Sequence, residues 1–229
     1  FVLDPLHAVD LDHEVHRGLG LVFAAHLALQ PNGAFLVLHA DLVVVHLPAG
    51  AKGLGDGPQA ANLPNQPAPI GSPDFARGAR PVDWFNIVET GHLAKFMPST
   101  SNTLTDRQRW DVVAYVYTLS ATPAQIDAGK TLYNAQCASC HGETGKGDGV
   151  LAPSLKKTPM PGMTMTGHET IAPINFTDAQ NMLGASNAIL EGKIIRGGMG
   201  TGMPYWGPIF TAEQIQSLVD YLWTFQFDR

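Results

Sequence analysis

The chain has 229 residues with 45% hydrophobic content and a formal charge of −6, which fits one large domain or two of roughly 100 residues each. The negative charge excludes the basic footprint of a nucleic-acid-binding protein, and permits steering toward basic patches on a partner. No stretch reaches the ~18–20 uninterrupted apolar residues of a membrane-spanning helix, and 24 glycines with 17 prolines predict much loop.

Residues 1 to 54 carry little recognisable pattern. Their apolar runs are broken by His, Asn, Pro and Asp, and they hold six histidines and no cysteine. The scatter of His7, His13, His16, His26 and His39 lacks the spacing of a metal-ligand set, so surface histidines are the simpler reading. The chain starts at Phe1 with no leader in view, which predicts a processed or trimmed form. From Gly53 the pattern sharpens. Gly55-Asp56-Gly57 reads as a turn, residues 83–90 as a short helix, and Met97-Pro98 as a loop. A helix over 105–119 opens with Thr105-Asp-Arg-Gln108, a capping box in which the Thr hydroxyl and the Gln amide satisfy each other's backbone N–H groups. The segment Ser120-Ala121-Thr122-Pro123 reads as a linker. A helix over 124–136 follows, with Ile126, Gly129, Leu132 and Tyr133 on one side at spacings of three and four.

Both cysteines of the chain then fall in Cys137-Ala138-Ser139-Cys140-His141. C-x-x-C-H is the attachment pattern of c-type haem: two thiols add to the vinyl groups, and the adjacent imidazole lies beneath the iron. A thioredoxin-like C-x-x-C needs no histidine and expects a βαβ context. A structural zinc site needs two further ligands at suitable spacing. Gly142-Glu-Thr-Gly-Lys-Gly-Asp-Gly149 is too glycine-rich for regular structure and predicts a tight loop, Pro153 follows, and residues 186–196 read as a short helix. In Gly198-Met199-Gly200-Thr201-Gly202-Met203-Pro204-Tyr205-Trp206 two methionines are candidate soft ligands. The last helix, 211–225, begins with a second capping box, Thr211-Ala-Glu-Gln214, and presents Ile215, Leu218, Tyr221, Leu222 and Phe225 on its apolar face.

From Pro123 on, over about 105 residues, these motifs resemble the class I c-type cytochromes. The resemblance implies covalent haem c on Cys137 and Cys140, with His141 as proximal iron ligand. It implies that the Pro153 carbonyl accepts the Nδ1–H of His141, the alternative being a plain turn proline. It favours Met203 over Met199 as the sixth ligand, because the Met-Pro pair and the following helix then fall in place. Tyr205 and Trp206 are expected on or near the haem, or in the core. Gly129 and Tyr133 match the small residue and aromatic by which the first helix crosses the last, with Tyr221 as the aromatic opposite. A His/Met pair raises the reduction potential relative to harder ligands.

The chain also matches itself. With an offset of 106, Met97-Pro98 falls on Met203-Pro204, Thr105 and Gln108 on Thr211 and Gln214, Tyr115 on Tyr221, and Thr118 on Thr224. Gly55-Asp56-Gly57 falls on Gly147-Asp148-Gly149, bringing Leu63 onto Leu155 and Ala61 onto Pro153. Ser72-Pro-Asp-Phe75 is set against Pro173-Ile-Asn-Phe176. Where C-x-x-C-H belongs in the first copy, the nearest register offers Leu42-Val-Val-Val-His46, with His46 as a stand-in proximal ligand opposite Met97. Three readings fit: a haem-free structural or docking domain, a second haem held non-covalently by His46 and Met97, or a printed sequence that departs from the true chain up to about Gly53, as a shifted reading frame would cause.

The expected fold is mostly α, with two tandem cytochrome c-like domains, residues 1–121 and 122–229, the second with covalent haem. The expected function is a one-electron carrier, or the cytochrome subunit of a respiratory or photosynthetic complex. Its partners would be redox proteins or a membrane electron-transport complex, with no nucleic acid and membrane association only through a partner or a lost anchor. The resemblance implies a periplasmic or extracytoplasmic location, because c-type haem is attached there. The rival is a haem enzyme or a ligand-binding sensor with a displaceable sixth ligand.

Overall fold

A computed structural model describes residues 26–29, 35–38, 49–95, 97–155, 172–198 and 200–227. The chain divides into two compact units, Phe1–Asp41 and Leu42–Arg229, so the boundary expected at 121/122 falls inside the second unit. Within the first unit, β1 (His26–Leu29) and β2 (Phe35–Leu38) pair antiparallel, His26 opposite Leu38 and Leu29 opposite Phe35. This hairpin was not foreseen. His46 and Met199 lie outside the described residues.

The second unit is helical: α1 (Pro73–Ala76), α2 (Pro81–Thr90), α3 (Asp106–Ser120), α4 (Pro123–Gln136), α5 (Ala138–His141), α6 (Ala179–Met182), α7 (Asn187–Arg196) and α8 (Ala212–Phe227). Three of them begin with the same device. Thr105, Thr122 and Thr211 each accept the N–H of the residue three positions on, and Gln108, Gln125 and Gln214 return a bond to the threonine's own N–H. The box at Thr122 is written in the sequence as T-x-x-Q. It converts the expected linker into an immediate helix start, leaving only Ala121 and Thr122 between α3 and α4.

The helix crossing at the centre is set by one missing side chain. A Cβ on Gly129 of α4 would drive into the Ser217 carbonyl of α8 and come within 2.9 Å of the Tyr221 Cβ. Glycine therefore lets the two backbones touch, and the Tyr133 and Tyr221 rings close over the crossing with centroids 5.3 Å apart. The core around it comprises Tyr133, Met182, Leu218, Val219, Leu222 and their neighbours, with Ile126, Leu132 and Phe225 packed at its margin.

The unit contains the same succession of elements twice. Adding 106 to the bounds of α1 and α2 returns those of α6 and α7, and α3 maps onto α8 to within a residue. The His92–Met97 bridge maps onto Gly198–Met203. With an offset of 92, the 3₁₀ turn Ala60–Asn62 maps onto Ala152–Ser154, and the left-handed glycines Gly50, Gly53 and Gly55 map onto Gly142, Gly145 and Gly147. The change from 92 to 106 leaves the first stretch 14 residues shorter between these turns and the helices. Gly71, rather than Phe75, falls opposite Phe176, since Gly71 N donates to the Gly53 carbonyl as Phe176 N does to that of Gly145; this corrects the pairing of Ser72–Phe75 with Pro173–Phe176. Continuity of backbone geometry, which four-residue similarity does not carry, decides between the two alignments.

The two stretches meet through matched positions. Val82 donates its N–H to the Leu183 carbonyl at 3.1 Å, and Ala188 donates to the Arg77 carbonyl at 3.0 Å; 82 and 188, and 77 and 183, are both 106 apart. Tyr117 and Trp223, also 106 apart, meet in a tilted ring contact with centroids at 4.9 Å. Reciprocal contacts between equivalent residues define an isologous, locally twofold pairing. Arg77 adds an ion pair to Glu191, with its Nε at 2.8 Å from Oε2.

Candidate functional site

Helix α4 ends at Gln136 and hands over directly to the turn that carries both cysteines. Cys137 is in αR conformation and caps α4, its carbonyl accepting from Cys140 N at 3.1 Å and from His141 N at 2.9 Å. The two thiols and the imidazole therefore sit within a single helical turn. Neither cysteine is in a disulfide and both are half-buried. Burial pushes the Cys137 thiol up to about 11, with the neighbouring Cys140 adding to the shift.

This turn is clamped on all sides. Gly142 leaves it with φ 78°, a left-handed conformation that favours glycine. Its carbonyl accepts from the hydroxyl of the buried Tyr133 at 2.7 Å and from Gly145 N at 3.1 Å. His141's carbonyl accepts from Gly147 N at 2.8 Å, and Gly149 packs so closely that a Cβ there would meet the carbonyls of Ala138 and Ser139. The Tyr133 hydroxyl bond is not predictable from helical spacing, which placed only its ring.

The His141 ring is half-buried and stacks on Phe176, centroids 4.8 Å apart at 25°. Its Nδ1 lies 3.4 Å from the Ile174 carbonyl oxygen, and burial lowers its pKa, so the imidazole is favoured in its neutral, metal-binding form. Pro153, expected to supply the carbonyl, is exposed in the 3₁₀ turn, and among the described residues the backbone oxygen within hydrogen-bond distance of Nδ1 is that of Ile174. The segment 156–171, which connects these two stretches, lies outside the described residues.

Met203 is half-buried in a loop closed by the Gly198–Met203 bridge, with Gly198 N donating to the Met203 carbonyl at 3.2 Å. Gly197 is left-handed at φ 63° because a Cβ there would meet the carbonyls of Met203 and Pro204 at 2.7 and 2.5 Å. Trp206 is anchored by its backbone amide to the Ile194 carbonyl at 3.3 Å, and its ring stacks on Phe210 at 4.8 Å, against the core. Tyr205 is exposed, so the two aromatics separate: one packs inward and the other faces solvent.

The donors present suit a covalently held haem. Two free thiols flank one turn, the neutral imidazole follows directly and stacks on Phe176, Cys137 packs against the apolar core, and a thioether lies in a glycine-bounded loop. Among the described residues no group of three or more His, Cys, Asp or Glu could hold a metal ion by itself.

In the first stretch the same glycine-loop bond is made to a different residue. Gly55 N donates to the Ala49 carbonyl at 2.8 Å, as Gly147 N does to His141, so Ala49 occupies the place of the histidine. Reaching His46 needs a register three residues away from the offset of 92 that the glycine loop obeys. The repeat Gly55-Asp56-Gly57 carried this signal already, since 141 − 92 = 49.

Residues 126–226 match the family model described as cytochrome c, and this stretch carries a cytochrome c domain. The chain is 31% identical over 118 residues to the Cbb3-type cytochrome c oxidase subunit FixP of Azorhizobium caulinodans, an alignment covering 50% of this chain and 33% of that protein. The chain thus spans about a third of the length of the relative it matches. A solved chain of the reducing HAO-like protein complex of Kuenenia stuttgartiensis is similar at 22% identity and a TM-score of 0.39, covering 79% of this chain and 91% of that one.

Proposed function

We propose that this protein is an extracytoplasmic electron-transfer c-type cytochrome, serving as a one-electron carrier or as the cytochrome subunit of a respiratory complex. The observation that carries the reading is the single turn holding Cys137, Cys140 and the neutral, ring-stacked His141. The FixP relative, itself an oxidase subunit by name, supports membership in such a complex.

When bound, haem c supplies a one-electron Fe(II)/Fe(III) couple. This chain's own residues do the rest. Cys137 and Cys140 tether the porphyrin at two points, and the Tyr133 and Gly147 bonds hold that turn rigid. His141 offers Nε2 to iron while Nδ1 donates to a backbone carbonyl; the family's acceptor is that of Pro153, and Ile174 is the acceptor found here. Met203 would offer its thioether to the iron, a soft donor that would favour the reduced metal. With His141 and Met203 both holding the haem, no iron position would be open to a substrate, and the domain would pass electrons without binding a reactant.

The first stretch, 49–121, is a cytochrome c-like copy that holds no haem, since Ala49 stands where the proximal imidazole is needed. It acts as a structural and docking partner for the second.

The test is a pyridine haemochrome assay on the purified protein, paired with its intact mass and optical spectrum. One covalent haem and a far-red methionine–iron band are expected. Rapid binding of CO or cyanide to the native protein, with no such band, would replace this reading with a ligand-binding or catalytic haem protein.

A further inference from the structure

The local twofold pairing is symmetric in backbone but not in chemistry. Around its axis lies a cavity of about 70 Å³ lined by the matched pairs Ala114/Asp220, Tyr117/Trp223 and Thr118/Thr224. At the first of these pairs an alanine on one side faces a carboxylate on the other. Asp220 is 6% exposed; its Oδ1 accepts from Gln216 Nε2 at 2.8 Å, and its Oδ2 has no partner. The Tyr117 hydroxyl, from the opposite stretch, is also buried without a partner and lines the same cavity.

A buried oxygen left without a hydrogen bond costs free energy, more so when it is charged. Protonation of Asp220 removes the charge and adds a donor in a cavity where the Tyr117 oxygen can accept. We propose that Asp220 is a proton-dependent lock on the pairing of the two stretches, closing the contact when protonated and loosening it when ionised.

The charged surroundings favour this. From α7, Glu191 is the facing group; its charge is paired with Arg77 and repels an ionised Asp220. From α3 the facing ionisable group is Tyr117, and α4 contributes Ile126 to the cavity while its Asp127 and Lys130 are exposed. No cation among these groups is left to pair with Asp220. Burial accordingly pushes its carboxyl up to about 6 from 3.8, against the pull of Gln216 and with help from Glu191.

The sign follows from linkage. A carboxyl whose closed-state pKa is raised binds more protons closed than open, so closure weakens as pH rises from about 4 to about 6 and is level above. The inference rests on the packing of the two stretches and does not depend on the haem reading.

Hydrogen exchange at the Val82 and Ala188 amides, which donate the two reciprocal bonds, reports the opening of this contact in the intact holoprotein. The opening constant of the wild type, corrected for intrinsic exchange, should rise at least about tenfold between pH 4.5 and 7.5. Asp220→Asn, a permanent mimic of the neutral form, should stay near the low-pH value throughout. Asp220→Ala, which copies Ala114, serves if the amide variant does not fold and should also be level. A level wild type, or a variant with the wild-type slope, would overturn the proposal.

Discussion

Cys137, Cys140, His141 and Met203 differ in what their loss should do. Cys137→Ala or Cys140→Ala removes one thioether, so denatured protein should release haem more readily, and the double variant should carry no covalent haem in a haemochrome assay. Met203→Ala should abolish the far-red methionine band, lower the reduction potential and admit CO. Met199→Ala should leave all three unchanged, and the opposite pattern would transfer the ligand role to Met199. Tyr133→Phe keeps the ring but removes the donor to the Gly142 carbonyl. A neutral buried hydrogen bond of this kind contributes about 0.5–1.5 kcal/mol, and the acceptor left behind retains Gly145 N as a partner. The denaturation midpoint of the variant should therefore fall only modestly.

The helices owe their limits to short signals and their positions to contact. Each T-x-x-Q box satisfies two backbone donors that a bare helix start would leave open, so Thr211→Ala should cost about 1 kcal/mol in equilibrium denaturation. Gly129→Ala is the more severe change although alanine is the better helix former. The added methyl meets the Ser217 carbonyl, and α4 and α8 must move apart across the best-packed crossing in the fold. Overpacking of this kind costs about 1–3 kcal/mol or more. A thermal midpoint equal to that of the wild type would mean the crossing is looser than the structure has it.

Across the unit 42–229, the repeated architecture and the single C-x-x-C-H turn together predict one haem per chain. Two haems in the haemochrome assay would show that the first stretch has another ligand set. The contact between the stretches should depend on Arg77, whose guanidinium is the partner of the buried Glu191 carboxylate. Arg77→Ala strands that carboxylate and should lower the thermal midpoint at neutral pH. Adding Glu191→Gln should restore part of the loss, because the stranded charge is then gone.

Much of this protein is local, and local features are legible in sequence. The C-x-x-C-H run defines its own chemistry because both thiols and the imidazole lie within one turn. The helices over 81–90, 106–120, 123–136, 187–196 and 212–227 follow from apolar spacing and caps that act over three or four residues. The Gly129–Tyr221 meeting was readable too, through the family pattern that it matches. Other features depend on residues far apart in the chain, and composition gives no sign of them. The carbonyl beside His141 comes from Ile174, 33 positions away. The residue that answers to His141 across the first glycine loop is Ala49, since a backbone hydrogen bond rather than residue type identifies it. The unpartnered oxygens of Asp220 and Tyr117, 103 residues apart, come to line one cavity only in the folded chain. Sequence determined which chemistry this chain can hold; only the tertiary structure decided which groups share a buried space, because burial and pairing are properties of neighbours in space.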